Sequence, residues 1–106
     1  MNELLLTLCT FPDLETARKI GATLVERQLA ACVNLLPGVE SIYRWQGQVE
    51  QGSEVLGVFK TTRTAYPALA EALTSLHPYA VPEIIACRPE AVAESYAAWV
   101  ADSVSG

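Results

Sequence analysis

The chain has 106 residues, of which 51% are hydrophobic and 18% charged, with a formal net charge of −5 at pH 7. This composition excludes an intrinsically disordered chain, and the length fits a single domain over residues 1–106. The acidic balance and the lack of any run of Lys or Arg disfavour binding to nucleic acids and to anionic membranes.

Two further features predict a cytoplasmic protein. The N-terminus lacks the basic segment of a secretory signal, and no apolar stretch approaches the roughly 18–20 residues that a membrane-spanning helix requires. Cys9, Cys32 and Cys87 are odd in number and lack CxxC spacing. This usage suits reduced thiols better than a disulfide framework.

The first elements in chain order are a buried strand and an amphipathic helix. Residues 4–10 are mostly apolar and lead into a turn at Pro12 and Asp13. The carboxylate of Asp13 can cap the following helix. Apolar residues then recur at helical spacing, namely Ala17, Ile20, Leu24 and Ala31.

A β-hairpin is predicted next. Residues 32–45 have the pattern of a strand, with a bend at Pro37-Gly38. A turn at residues 46–48 is favoured because Gly47 accepts a positive φ. The chain then returns as a strand over residues 49–60, with Gly52 near its middle.

The last part of the chain predicts a helix, a strand and a short helix. The helix begins near Thr64 and ends at His77, because a residue before proline is disfavoured in the α region. Residues 82–88 predict the fourth strand, and residues 91–100 predict a final helix. One side of that helix is apolar and carries Val92, Tyr96 and Trp99.

The order βαββαβ with an extra C-terminal helix predicts an α+β fold of the ferredoxin-like class, with an antiparallel sheet and two helices on one face. The strands are apolar on both sides, which is typical of sheets that are covered on both faces. A final helix of about 10 residues is about 15 Å long and covers only part of a face. We therefore expect identical copies of the chain to cover the rest, the alternative being that the last helix and a loop suffice.

The predicted topology places the strands in the spatial order 4-1-3-2 and brings three metal-ligand side chains to one end of the sheet. Cys9 ends the first strand, Glu83 begins the fourth, and His77 ends the second helix at the same place. Each also has a plain structural interpretation: a buried thiol, a helix-terminal imidazole and a solvated carboxylate. Three ligands leave a four-coordinate metal one short, so water or a neighbouring subunit must complete the site.

The sequence does not favour an enzyme. It lacks a nucleophile elbow, a phosphate-binding glycine loop and an HExxH motif. A pair of Cys9 and His77 could imitate a nucleophile and its base, but Cys9 lies in an apolar strand and not at a helix N-terminus. Tyr43, Arg44 and Trp45 near the hairpin could stack on a ligand, but we expect them at an interface between subunits.

Five motifs, in order along the chain, resemble the CutA divalent-cation tolerance family. They are Leu8-Cys9-Thr10, residues 29–34 (LAACVN), residues 41–47 (SIYRWQG), Lys60-Thr61-Thr62 and residues 77–83 (HPYAVPE). The resemblance runs from about Leu4 to Trp99.

The resemblance implies a ferredoxin-like subunit, similar to the PII signalling proteins, in a homotrimer with a role in tolerance to divalent metals. It implies Cys9, His77 and Glu83 as the metal ligands, with Cu²⁺ as first candidate and other divalent metals such as Zn²⁺ as alternatives. Leu76 stands where some relatives have a second histidine. The rival function is a regulatory or scaffold trimer that binds a small metabolite or a partner protein in clefts between subunits, near Thr10 and Tyr79.

Overall fold

The structure is a computed structural model that describes residues 3–105. It confirms the predicted element order and the additional helix. The elements are β1 (Leu4–Phe11), α1 (Leu14–Glu26), β2 (Cys32–Trp45), β3 (Gln48–Thr62), α2 (Tyr66–Leu76), β4 (Ile85–Cys87) and α3 (Glu94–Ser103).

The four strands form one antiparallel sheet in the order β2-β3-β1-β4, as the ferredoxin-like interpretation requires. Cys9 of β1 lies opposite Gly57 of β3, and Leu8 lies opposite Ile85 of β4. The end of β1 therefore lies beside the start of β4, as predicted from the sequence. The strand β4 has only three residues and is shorter than the predicted span 82–88.

The hairpin of β2 and β3 extends well beyond the rest of the sheet. Its strands have 14 and 15 residues, and the molecule measures 44 × 26 × 21 Å. The bend predicted at Pro37-Gly38 is a register irregularity within one continuous strand. Gln46 and Gly47 form the turn with φ of 50° and 80°, the left-handed conformation that two-residue hairpin turns require.

The helix α1 begins as predicted but ends earlier than the apolar spacing indicates. The carboxylate of Asp13 accepts a hydrogen bond of 2.8 Å from the Thr16 N–H, and this contact lowers the pKa of Asp13. Gln28 adopts a φ of 61°, which ends the helical path, so Ala31 lies outside the helix. Ala31 packs instead with Leu4 in a second apolar cluster.

The main core lies between the sheet and the two helices α1 and α2. Phe11 and Phe59 lie at its centre, fully buried, with ring centroids 6.3 Å apart. The other buried members are Cys9, Ala17, Ile20, Leu24, Ala30, Val55, Leu69 and Leu73. This core fixes the end of β1 and the start of the segment after α2, where the candidate site lies.

The opposite face of the sheet is only partly covered by α3. Val100 and Val104 pack on Leu4 and Leu6 at one end. The predicted apolar side of α3 is not its buried side, because Val92, Tyr96 and Trp99 are all exposed. Towards the other end of this face, Leu36 and Ile85 are also exposed, so α3 alone does not hide the apolar sheet.

Two glycines of β3 offer a matched test of packing in the core. A Cβ at Gly57 would lie 3.0 Å from Cε2 of Phe11 and 3.2 Å from Cε1 of Phe59, whereas a Cβ at Gly52 would meet nothing within 4 Å. We expect Gly57→Ala to lower the free energy of unfolding by about 1–3 kcal/mol through overpacking, measured by urea denaturation. Gly52→Ala is the control, and equal effects of the two substitutions would contradict this packing.

The remaining chain-wide features concern thiols and membranes. The three cysteines are free, and Cys32 and Cys87 lie at the end of the sheet away from Cys9. Within residues 3–105, no helix has the length and apolar character needed to cross a membrane.

Candidate functional site

His77 ties the end of β1 to the segment that follows α2. Its Nδ1 accepts a hydrogen bond of 3.1 Å from the Tyr79 backbone N–H. Its Nε2 lies 2.7 Å from the carbonyl oxygen of Thr10. Because Nδ1 accepts, Nε2 carries the ring hydrogen and donates to Thr10. Both ring nitrogens are thus used by backbone groups of the same chain.

Aromatic contacts hold the His77 ring in place. The ring stacks on Phe11 with centroids 5.1 Å apart and an angle of 19° between the planes. On its other side it contacts Tyr79 at 4.7 Å. His77 is only 8% exposed. The ring therefore joins the core cluster around Phe11 to the segment carrying Tyr79.

Tyr79 continues this chain of contacts to β3. Its hydroxyl donates a hydrogen bond of 2.6 Å to Oε2 of Glu54. Burial raises the pKa of Tyr79, and the hydrogen bond to Glu54 and the negative charge of that carboxylate raise it further. Tyr79 accordingly acts as a donor that holds the Glu54 carboxylate.

Cys9 lies near the end of β1, in the main core, and is fully buried. Burial raises the pKa of the Cys9 thiol to about 12, and the negative charges of Glu83 and Glu54 add to the shift. The thiol therefore stays protonated at neutral pH, whereas metals and electrophiles react with the thiolate. Glu54 directly precedes Val55, the strand partner of Phe11, so it lies near the end of β1.

A cleft of about 800 Å³ opens at this end of the sheet, between the hairpin and the segment after α2. The predicted cleft residues Thr10 and Tyr79 both line it, together with the predicted metal ligand Glu83. Tyr43 and Trp45, which we expected at an interface, also line it. The further lining residues are Glu40, Ser41, Ile42, Glu54, Pro78, Ala80 and Val81. We refer to this space as the acidic cleft.

The three predicted metal ligands, Cys9, His77 and Glu83, lie towards the same end of the sheet. No group of three or more His, Cys, Asp or Glu side chains suitable for a metal ion occurs among residues 3–105. The lone pair of His77 Nδ1 faces the Tyr79 N–H, and Cys9 is a buried thiol. Of the three, Glu83 is exposed and lines the acidic cleft, so its carboxylate is accessible to a metal ion.

Two carboxylates of the acidic cleft, those of Glu40 and Glu54, were missed by the sequence interpretation. Glu54 lies in a strand that the sequence identifies by its apolar residues. One signal was present, because Glu54 is an acid directly before the apolar run of residues 55–59. Its pairing with Tyr79 depends on a contact between residues far apart in sequence.

The aromatic residues of the hairpin are exposed in the single chain. Tyr43 and Trp45 both have large exposed surfaces, and Arg44 donates a hydrogen bond of 3.4 Å from Nη1 to the carbonyl of Gly47. The neighbouring Ile42 is 70% exposed and Val49 is 66% exposed. The hairpin thus presents an apolar surface next to the acidic cleft.

Comparison with known proteins identifies the family. The model of the CutA1 divalent ion tolerance protein family matches residues 5–103, which is nearly the whole chain. The chain belongs to this family. A CutA divalent-cation tolerance protein from Thermus thermophilus is 56% identical over 79 residues, which cover 74% of this chain and 77% of that relative. The mouse CutA protein is 46% identical over 91 residues, covering 86% of this chain and 51% of that protein.

Solved CutA structures have the same fold. The Cut A1 structure from Thermus thermophilus superposes with a TM-score of 0.93 at 45% identity, covering 96% of this chain and 99% of that one. The CutA structure from Xylella fastidiosa gives 0.94 at 38% identity, covering 97% and 99%. The chain spans about half the length of the mouse and human CutA relatives. One relative, from Arabidopsis thaliana, is named chloroplastic, and a solved structure from Archaeoglobus fulgidus is named periplasmic.

Proposed function

We propose that this CutA-family chain acts in divalent-cation tolerance as a cytoplasmic homotrimer that binds its cation, copper first, in the acidic cleft. The observation that carries the proposal is the presence of Glu54 and Glu83 in one cleft. Both negative charges contribute to the raised pKa of the buried Cys9 thiol, and both residues line the same cleft. A cleft with this charge attracts cations.

Among first-row divalent ions, the general order of affinities places Cu²⁺ first at such a cleft. For a given set of nitrogen and oxygen ligands, affinity rises along the first-row divalent metals to Cu²⁺ and falls again at Zn²⁺. Glu83 provides one carboxylate and Glu54 a second that is oriented by Tyr79. Since three such ligands do not meet among the described residues, water or a neighbouring subunit supplies the remaining donors.

The exposed hairpin supports self-association. Ile42 and Val49 leave water only if another surface covers them. Leu36 and Ile85 on the partly covered sheet face have the same requirement. Removal of such apolar area from water stabilises association by roughly 25 cal/mol for each Å². In a trimer, copies of the chain cover these surfaces and close the acidic cleft.

The free cysteines support a cytoplasmic location. Cys32 and Cys87 are at least partly exposed and carry no disulfide. Thiols of this kind persist in compartments that glutathione keeps reducing. The acidic composition without basic runs supports a protein that does not engage nucleic acids or anionic membranes.

The proposal is tested by titrating Cu²⁺ into the protein and into Glu83→Gln, with the heat of binding as the measurement. Because the substitution removes an anionic oxygen ligand at constant size, we expect the affinity to fall at least about tenfold. Glu26→Gln makes the same charge change on the exposed side of α1 and serves as the control. Equal Cu²⁺ affinity of all three proteins would overturn the proposed site.

A second candidate function is the binding of a small metabolite in the same cleft. Tyr43, Trp45 and Tyr79 give it an aromatic lining, and its volume falls within the range of small-molecule sites. A thermal-shift screen of nucleotides and divalent metals separates the two candidates. Stabilisation by a nucleotide, with none by Cu²⁺, would favour the metabolite and contradict the cation proposal.

A further inference from the structure

A second cluster of reactive side chains lies at the opposite end of the sheet from the acidic cleft. The Sγ atom of Cys32 lies 3.7 Å from Nζ of Lys60 and 3.5 Å from the hydroxyl oxygen of Tyr96. These three residues come from β2, β3 and α3. We call them the Cys32 cluster.

The regular elements of the fold hold the Cys32 cluster together. Cys32 and Lys60 are direct partners in the register of β2 and β3, so their side chains lie on the same face of the sheet. The Lys60 ammonium also donates to Oδ1 of Asn34 on β2. The Tyr96 ring contacts Trp99 on α3, with centroids 5.5 Å apart. The ammonium is therefore kept beside the sulfur.

The other two cysteines lack such surroundings and provide an internal comparison. Cys9 is fully buried, and the charged groups acting on it are the carboxylates of Glu83 and Glu54. Cys87 is exposed at the edge strand β4, where the nearby Arg88 is paired with Glu3 at 3.1 Å. Cys32 is half-buried and has both a cation and a hydroxyl group in contact with its sulfur.

We propose that Cys32 is the reactive thiol of this chain, a modification site at which hydroperoxides oxidise the sulfur to a sulfenic acid. The site is independent of the acidic cleft and of the proposed cation binding. Reactive cysteines are typically found in partly exposed places beside Lys, Arg or His⁺. The Cys32 cluster meets both conditions.

The chemical step needs only the hydroperoxide as oxidant. The Cys32 thiolate attacks the terminal oxygen of the peroxide, so that an S–O bond forms and the O–O bond breaks. The sulfur is oxidised by two electrons, and the peroxide is reduced to an alcohol or to water, which takes its proton from solvent. The Lys60 ammonium and the Tyr96 O–H stabilise the anionic sulfur before the attack.

The test exposes the full chain to hydrogen peroxide and traps sulfenic acid with dimedone. Trypsin cleavage at Arg18, Arg27 and Arg63 places the three cysteines on different peptides, which mass spectrometry quantifies. We expect Cys32 to be labelled about tenfold faster than Cys87, since a positive charge within 4 Å stabilises the attacking thiolate. Cys9 is expected to react slowest because it is fully buried.

Variants at Lys60 separate a charge effect from simple exposure. Lys60→Met removes the ammonium at similar length, whereas Lys60→Arg keeps a positive charge. We expect labelling of Cys32 to fall about tenfold in the first and to stay within about threefold in the second. Labelling of Cys87 as fast as Cys32 in the unmodified protein would overturn the proposal without any variant. Unchanged labelling in a folded Lys60→Met protein would overturn the role of the ammonium.

Discussion

Replacing His77 by alanine lowers the free energy of unfolding by about 2–4 kcal/mol and leaves the Cu²⁺ affinity of the folded protein within about threefold of the original. The stability loss follows from two hydrogen bonds to backbone groups, to Thr10 and from Tyr79, and from the ring contact with Phe11. The small effect on affinity follows because neither ring nitrogen has a free lone pair for a metal.

Urea denaturation and Cu²⁺ titration test this expectation at one fixed protein concentration, since the stability of the proposed trimer depends on concentration. Ser75→Ala changes an exposed residue of the same helix and is the control. A metal-ligand role for His77 requires the opposite result: little loss of stability and a large loss of affinity. That result would restore the ligand set predicted from the sequence.

The second expectation concerns assembly: Ile42→Asp shifts the proposed trimer to a single chain. Ile42 is 70% exposed in the isolated subunit, on the hairpin that we propose lies between subunits. Burial of an unpaired carboxylate there costs about 3 kcal/mol or more for each subunit, and the apolar contact is lost as well. Light scattering coupled to size-exclusion chromatography measures the mass directly.

Leu76→Asp is the matched control, because it adds the same charge at an exposed apolar residue on α2, away from the hairpin. We expect this variant to keep three times the mass of one chain. The trimer proposal fails if the unmodified protein already has the mass of one chain at micromolar concentration. The hairpin interface fails if Ile42→Asp keeps the mass of the unmodified protein.

Much of the fold could be predicted because its signals are local. Pro78 ends α2 at His77, and Gly47 supplies one of the two positive φ angles of the hairpin turn. The element order then leaves few arrangements of four strands, which is why the order β2-β3-β1-β4 was predicted correctly. The end of α1 was predicted less well, because Ala31 fits the helical spacing but lies outside the helix and packs against Leu4.

The position of the candidate site follows from topology, whereas the atoms available there depend on tertiary contacts. Cys9, His77 and Glu83 do converge at one end of the sheet, because topology alone sets which strand ends are neighbours. Their suitability as ligands depends on what else each atom touches. The Thr10 carbonyl accepts a hydrogen bond from Nε2–H of His77. Burial raises the pKa of the Cys9 thiol, so this side chain stays protonated.

By itself, the sequence determined the family resemblance, the ferredoxin-like order of elements and the end of the sheet where the chemically capable side chains meet. Only the tertiary structure decided which of those side chains are available. Lone pairs and protons are assigned by contacts between distant segments, such as Thr10 and His77, which are 67 residues apart. For the same reason, only the folded chain identifies Glu54 and Cys32 as candidate functional residues. Glu54 accepts a hydrogen bond from Tyr79, and Cys32 lies beside Lys60.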